Sequence, residues 1–422
     1  MAATSAPLGP DYFSGRPVPR TRPSALGNSP KSPRTPLIGR TISGQFGSPG
    51  AFARDQEETV VWELNPRYIS AGFAGESRPR HVLRFGYGIG DGRRAGDYRQ
   101  FASGYTQRTQ GAHIEDAWSS DYELYQSDLR KLDLGLVEDK LERAVRTIQT
   151  DILQLDQKPR RCLLAVPSLL PTPILDIALR VLFNHFTQPS AATLFTTPLL
   201  ACMGAGLRNA LVLEVGWEET VATAIGEYKV IAERRTVRAR KMLVKEMAGL
   251  LQSELAQDAS QTIDFAYAED VADRLAWCEP LKPAESRGEE AIQVPVPNSN
   301  AADVVSIPFS RLATPASNTL FPTTSRDQFD DHDLPLHHLL YRILLDVPVD
   351  LRAICMSRLI VTSNGVNIPG LKRRLLQEFE ELVNRRGWDP VHSYGSAKPR
   401  HEKKHKAKNM DCLLYTSPSP RD

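Results

Sequence analysis

Two short stretches constrain the fold of this chain more than anything else in it. Val60-Val61-Trp62-Glu63 and Leu211-Val212-Leu213-Glu214 are apolar runs of strand character, each ending in a carboxylate. Each leads through a tight connection into a second strand-like run, Tyr68 to Phe73 in one case and Thr220 to Ile225 in the other. This is a weak internal duplication, and it predicts an α/β fold whose two halves open in the same way.

The stretches between them fit that expectation. His81 to Phe85 reads as a third strand, and residues 87–120, polar and Gly-rich, read as loop. Val137, Leu141, Ala144, Val145, Ile148 and Ile152 recur at helical spacing. Cys162 to Val166 predicts a buried strand stopped by Pro167, and Ile174 to Phe186 a largely apolar helix started by Thr172-Pro173. Ala192 to Thr196 reads as a short strand and Pro198 to Gly206 as a helix of small residues. In the second half, helices are expected at Lys241–Leu255, Ala268–Trp277 and Leu336–Leu345, with a polar insert near 284–330. A strand at Leu359 to Thr362 then leads through Ser363-Asn364-Gly365 and Pro369-Gly370 into a helix that ends near Arg386.

Both ends differ from this body. Residues 1–56 are rich in Pro, Ser, Gly and Arg, with Asp11 and Asp55 as the only acids, and predict a disordered basic tail. Its Ser29-Pro30, Ser32-Pro33, Thr35-Pro36 and Ser48-Pro49 pairs read as proline-directed phosphorylation sites or as the chance product of such a composition; the composition favours chance. Lys398 to Lys408 is a basic run, read as solvated rather than as a patch for an acidic partner. Residues 401–411 read as a basic linker or insert, and 412–422 resemble the translated read-through of a sequencing adapter, which predicts a natural chain cut off near Asp411. Such a cut is expected to leave apolar surface of the first half uncovered.

Bulk composition excludes several classes. A net charge of +2 gives no global field that would favour nucleic acid or a membrane surface. No apolar run approaches the length of a membrane span. The five cysteines are scattered and never spaced as CxxC, which fits free thiols in a reducing compartment.

Three strings carry a family resemblance. Ala71-Gly72-Phe73-Ala74-Gly75-Glu76-Ser77-Arg78-Pro79-Arg80 closely resembles the actin segment that follows the first phosphate loop. Val166-Pro167-Ser168 through Phe186-Thr187-Gln188-Pro189 is similar to the stretch leading to the actin hinge helix. Leu359 to Leu375 resembles the strand and helix beside the adenosine. Their order and spacing agree over roughly residues 57–400. The resemblance implies an actin-like fold of two ribonuclease H-like domains around a nucleotide cleft, residues 57–207 forming the first and 208–400 the second.

The chemistry of such a cleft needs backbone N–H groups in glycine-rich turns to cradle phosphate. It also needs carboxylates to hold a metal through water, and a side chain to orient the attacking water. The resemblance places a vestigial cleft on Glu63, Glu214, Gly216, Arg274, Asn364 and Gly365, with no metal ligand and no catalytic residue. The first turn, Glu63-Leu64-Asn65-Pro66-Arg67, lacks the family's glycines, and Pro66 has no N–H. Ser70 stands where the family has a phosphate-reaching Lys. In the second turn Gly216 alone remains of the glycines, Trp217 replaces an Asp, and Glu218 puts negative charge where phosphate belongs. Thr197 matches the water-orienting Gln, Arg274 a Lys near the base, and Leu275 replaces a Glu. Taken singly, Glu63 and Glu214 read as polar strand ends and Gly216 as a turn residue; the symmetry of the two carboxylates lifts the cleft reading to equal weight.

These departures predict a non-enzyme, with ATP or ADP held without hydrolysis left open. Val61-Trp62-Glu63, Arg80 to Phe85 and Leu134 to Glu142 are most similar to the fungal pointed-end group of actin-related subunits in dynactin. That similarity implies a cytoplasmic, cytoskeletal hetero-oligomer. Its partners would be an actin-related filament subunit and other pointed-end dynactin proteins, in dynein-based microtubule transport. A nuclear actin-related subunit of a chromatin remodeller is the first rival, and a working actin-like ATPase the second.

Overall fold

The computed structural model describes residues 59–86, 119–156, 158–184, 187–255, 263–281, 290–295, 304–322, 329–363 and 367–388. The expected tail, the loop over 87–118, Asn364-Gly365, the basic run and the adapter-like end lie outside the described residues.

In strand β1 (Thr59–Leu64) buried and half-buried residues alternate, so Val60, Trp62 and Leu64 face the core. β2 (Tyr68–Phe73) and β3 (His81–Arg84) continue it as an antiparallel meander. Helix α1 (Leu134–Thr147) then crosses over to β4 (Arg161–Val166), which pairs in parallel with β1. The helix starts where the Asp133 carboxylate accepts hydrogen bonds from the backbone N–H groups of Gly135 and Leu136. It ends in a π-type turn, Ile148–Ile152. Helix α2 (Thr172–Asn184) makes a second crossover to β5 (Ala191–Thr196), parallel to β4.

Helix α3 (Thr197–Gly204) leads into β6 (Ala210–Val215), buried along its whole length, as are β7 (Thr220–Gly226) and the last residue of β8 (Lys229–Thr236). Then follow α4 (Arg240–Leu255), α5 (Phe265–Leu275), the hairpin β9 (Ala291–Pro295) and β10 (Val304–Pro308), and α6 (Thr314–Leu320). The described chain ends with α7 (Leu336–Asp346), α8 (Val349–Ser357), β11 (Leu359–Ser363) and α9 (Leu371–Arg386).

The sheet orders realise the duplication seen in the sequence. The first sheet runs β3-β2-β1-β4-β5 and the second β8-β7-β6-β11. In both, three antiparallel strands are followed by a fourth that lies parallel to the first. Each sheet has its own core. One gathers Trp62, Leu141, Ile148, Leu164 and Ile174; the other Leu213, Met247, Phe265, Leu339 and Leu375.

Three parts of the chain depart from the sequence expectation. The polar insert near 284–330 is in good part core: Val294, Ile307, Leu312, Ala316, Leu320 and Phe321 are all buried in the second cluster. β8 and α8 were not expected at all. β8 is exposed or half-buried except at Thr236 and carries Lys229, Glu233, Arg234 and Arg235, which hides the strand pattern. Among the described residues, no helix is long and apolar enough to cross a membrane.

Candidate functional site at the paired strand ends

Glu63 and Glu214 occupy equivalent places, each the next-to-last residue of β1 or β6. The Glu63 carboxylate accepts from Asn65 Nδ2 at 3.0 Å, the Tyr68 hydroxyl at 3.1 Å and Ser70 Oγ at 3.1 Å. Glu214 accepts from Thr197 Oγ1, which lies 2.9 and 2.8 Å from its two oxygens. Burial pushes the Glu214 carboxyl up to about 7; the Thr197 hydrogen bond pulls it down, and the charge of Glu63 pushes it up again. Burial and the neighbouring Glu63 likewise push the Tyr68 phenol well above its ordinary value. The two carboxylates thus lie within each other's field, at the ends of strands from different sheets.

The turns beyond them are joined directly. Asn65 N–H is spent on Tyr68 O at 3.0 Å, Pro66 has no N–H, and Gly216 N–H is spent on Glu219 O at 3.0 Å. Arg67, from the first turn, is 7% exposed. Its guanidinium lies 4.8 Å from the Trp217 ring centroid in the second turn, 5.0 Å from Phe265 and 5.7 Å from Tyr122. It pairs with Glu269 at 2.5 Å and donates to the backbone oxygens of Tyr122 and Phe85. Glu269 is shared with Arg240, which also pairs with Asp273.

A second knot closes over the first. Glu123, 3% exposed, accepts from the Trp217 indole N–H at 2.7 Å and from Ser119 Oγ at 2.6 Å. Lys241 pairs with Glu123 at 3.0 Å and with Glu218 at 2.8 Å. Burial works against the Lys241 charge, but Glu123 and Glu218 together hold its ammonium above the ordinary value. Glu218 also accepts from Ser127 N–H at 2.5 Å.

Gly216 shapes the second turn and accepts from Arg240 N–H at 3.2 Å; the remaining sequence candidates are not brought into this cluster. Arg274 lies on the outer side of α5, 65% exposed and paired with Asp270. Asn364 and Gly365 fall outside the described residues. The Pro369-Gly370 turn, expected beside the base, packs against protein backbone: Cys278 N–H donates to Pro369 O at 2.8 Å, and a Cβ on Gly370 would lie 2.3 Å from Cys278 O. Sequence reasoning missed Glu123, Arg240, Lys241 and Glu269. They follow no motif, and only their side-chain neighbours reveal them.

The family model for actin matches residues 54–269, just over half of the 422-residue chain. The chain belongs to the actin family. No curated protein matches it beyond that. The paired strand ends are where the resemblance in the sequence sets the nucleotide cleft. The residues present do not fit a phosphate group. The N–H groups of Asn65 and Gly216 are used within the turns, Arg67 is stacked on Trp217, and Glu218 is paired with Lys241. Ser70 and Thr197, which the resemblance sets at the family's Lys and Gln, donate to Glu63 and Glu214.

Proposed function

We propose that this chain is a non-catalytic actin-related subunit whose two halves are held by protein side chains where other actins are held by nucleotide. The observation that carries this is Arg67, buried between Trp217, Phe265 and Glu269 and so tying the first turn to the second. The phosphate-side chemistry of an actin ATPase requires free N–H donors, a cation and a group that orients water. Here Arg67 is committed to Glu269, and Thr197 to Glu214.

Within that reading, the chain caps the pointed end of the actin-like filament of dynactin, in the cytoplasm. Head-to-tail assemblies extend until a terminal subunit lacks one joining face. A joining face is supported at the end of β7 and β8 remote from Glu214. Tyr228, Val230, Ile231 and Val349 are there 38, 42, 42 and 44% exposed. The hairpin tip is held firm by Tyr228 N–H on Arg208 O and Glu227 N–H on Asn209 Oδ1.

The experiment is calorimetric titration of the full chain with ATP and Mg²⁺, run beside a phosphate-release assay and affinity purification from cells. Absence of release together with recovery of dynactin subunits is the expected result. Sustained phosphate release sinks the non-catalytic reading, and recovery of a chromatin-remodelling ATPase instead of dynactin sinks the pointed-end assignment.

A further inference from the structure

The segment Ser119–Ser127 belongs to the first half by its apolar packing and to the second by its polar groups. Leu124 and Tyr125 are buried in the first core, and Leu124 N–H donates to Pro66 O at 2.8 Å. Tyr122, Glu123 and Ser127 reach across. The Tyr122 ring lies 4.6 Å from that of Phe265 on α5. Glu123 accepts from the Trp217 indole and pairs with Lys241 on α4, and Ser127 N–H donates to Glu218. Burial, and then the charges of Glu218, Glu214 and Glu219, push the Tyr125 phenol well above its ordinary value. The segment is therefore a strap laid beside the paired strand ends.

The two ties between the halves differ in kind. The inner one is Arg67 with Glu269, walled by the rings of Tyr122, Trp217 and Phe265, and its charged side chains are 8 and 11% exposed. The outer one is made of hydrogen bonds and ion pairs that reach the surface: the Lys241 side chain is 27% exposed, and Ser127 is exposed. Water can replace each partner at such a joint with little net loss. The Glu123 carboxylate, 1% exposed while the joint is shut, is hydrated as it leaves and so is never a buried charge without a partner. The apolar anchor of Leu124 and Tyr125 has no such substitute in water. The joint that gives way first is thus the seam between the strap and the second turn.

We propose that the strap is a gate with Glu123 as its latch: it parts from the second turn in one step at Glu123–Lys241 and Ser127–Glu218, stays anchored on the first half, and turns about an Arg67 knot that remains shut. The inference does not depend on the dynactin reading, because it rests on these contacts alone.

The test is hydrogen exchange on the full ¹⁵N-labelled chain, followed by NMR. The Trp217 indole N–H, assigned through Trp217→Phe, and the Ser127 backbone N–H lie on the seam; the Leu124 N–H lies on the anchor. The two seam protons are expected to share one protection factor, about tenfold or more below that of Leu124. Lys241→Gln is expected to lower both by about tenfold or more and to leave Leu124 as it was. The proposal falls if the seam protons are protected as strongly as Leu124, or if their protection factors are unrelated. It also falls if Lys241→Gln leaves the seam unchanged, or lowers all three protons alike, since the strap then unfolds rather than parts. Should Lys241→Gln not fold, Glu123→Gln is held to the same outcomes: it removes the same ion pair from the other side of the seam and keeps an acceptor for the Trp217 indole.

Discussion

The guanidinium of Arg67 lies 4.8 Å from the ring centroid of Trp217, although the two residues belong to the turns that end the first strands of two different sheets. The contact is also ionic, because the same guanidinium reaches Glu269 at 2.5 Å, with both side chains close to fully buried. Breaking a buried pair typically costs about 3–5 kcal/mol, and the low end applies here because Glu269 keeps Arg240 at 3.3 Å. Arg67→Ala is therefore expected to lower stability by about 3 kcal/mol. Urea unfolding checks it, and a loss below about 1 kcal/mol, the range of a surface pair, would show that the knot does not hold the turns together.

Glu214 supplies a pH signature with a definite sign. Its carboxyl sits at about 7 in the folded chain, against an ordinary value of 4.5, so the folded state binds its proton more tightly than the unfolded state does. Stability from this group accordingly falls as pH rises from 4.5 to 7, and the penalty is complete above that, at roughly 3 kcal/mol. His337, held by burial down to about 3, works in the opposite sense below its ordinary 6.5, so the native curve alone is not the readout. Glu214→Gln keeps an acceptor for Thr197 and removes the titration. Its advantage over the native chain is expected to grow from near zero at pH 4.5 to its full size at pH 8. A difference that stays flat across that range would contradict the burial of this carboxylate.

How far the sequence reaches can be seen at these same residues. Alternation gave β1, short apolar runs gave β2, β4, β6 and β7, and helical spacing gave the principal helices, because burial writes itself into the chain. β8 escaped because four of its eight residues are charged and its entry turn uses Glu227 and Tyr228 at positive φ, where Asn or Gly is the usual signal. The stretch near 284–330 looked like an insert because its core residues are dispersed among polar ones; Val294 and Ile307 act only once β9 and β10 pair. At the site, Glu63 and Glu214 were legible through their symmetry, and Ser70 and Thr197 through what they replace. Glu123 and Glu269 were not, since their partners Trp217 and Arg67 lie 94 and 202 residues away in the chain.

Gly370 tests whether the turn before α9 is shaped by packing. Its φ of +81° favours glycine, and a Cβ there would stand 2.3 Å from Cys278 O, a backbone atom that cannot step aside as a side chain could. Gly370→Ala is expected to cost about 2 kcal/mol or more, read as a lowered unfolding midpoint. A stability within about 0.5 kcal/mol of the native chain, as for an ordinary surface change, would mean that the turn moves freely.

The exposed hairpin tip separates assembly from folding. Tyr228 and Ile231 contribute large apolar side chains at 38 and 42% exposure, on a turn anchored by Arg208 and Asn209 rather than by the tip residues' own side chains. Replacing Ile231 by Asp and Tyr228 by Ser places a charge and a hydroxyl in that patch while the backbone anchors remain. Stability is expected to change by no more than about 0.5 kcal/mol, because neither side chain is buried in the free chain. Co-purification with a neighbouring filament subunit is expected to drop at least tenfold, because an apolar contact patch with a buried charge loses its core. If the double variant assembles as well as the native chain while unfolding at the same temperature, the joining face lies elsewhere on the molecule. If it fails to assemble but also unfolds early, Ile231→Ser alone, which adds no charge, decides between loss of the contact and loss of the hairpin.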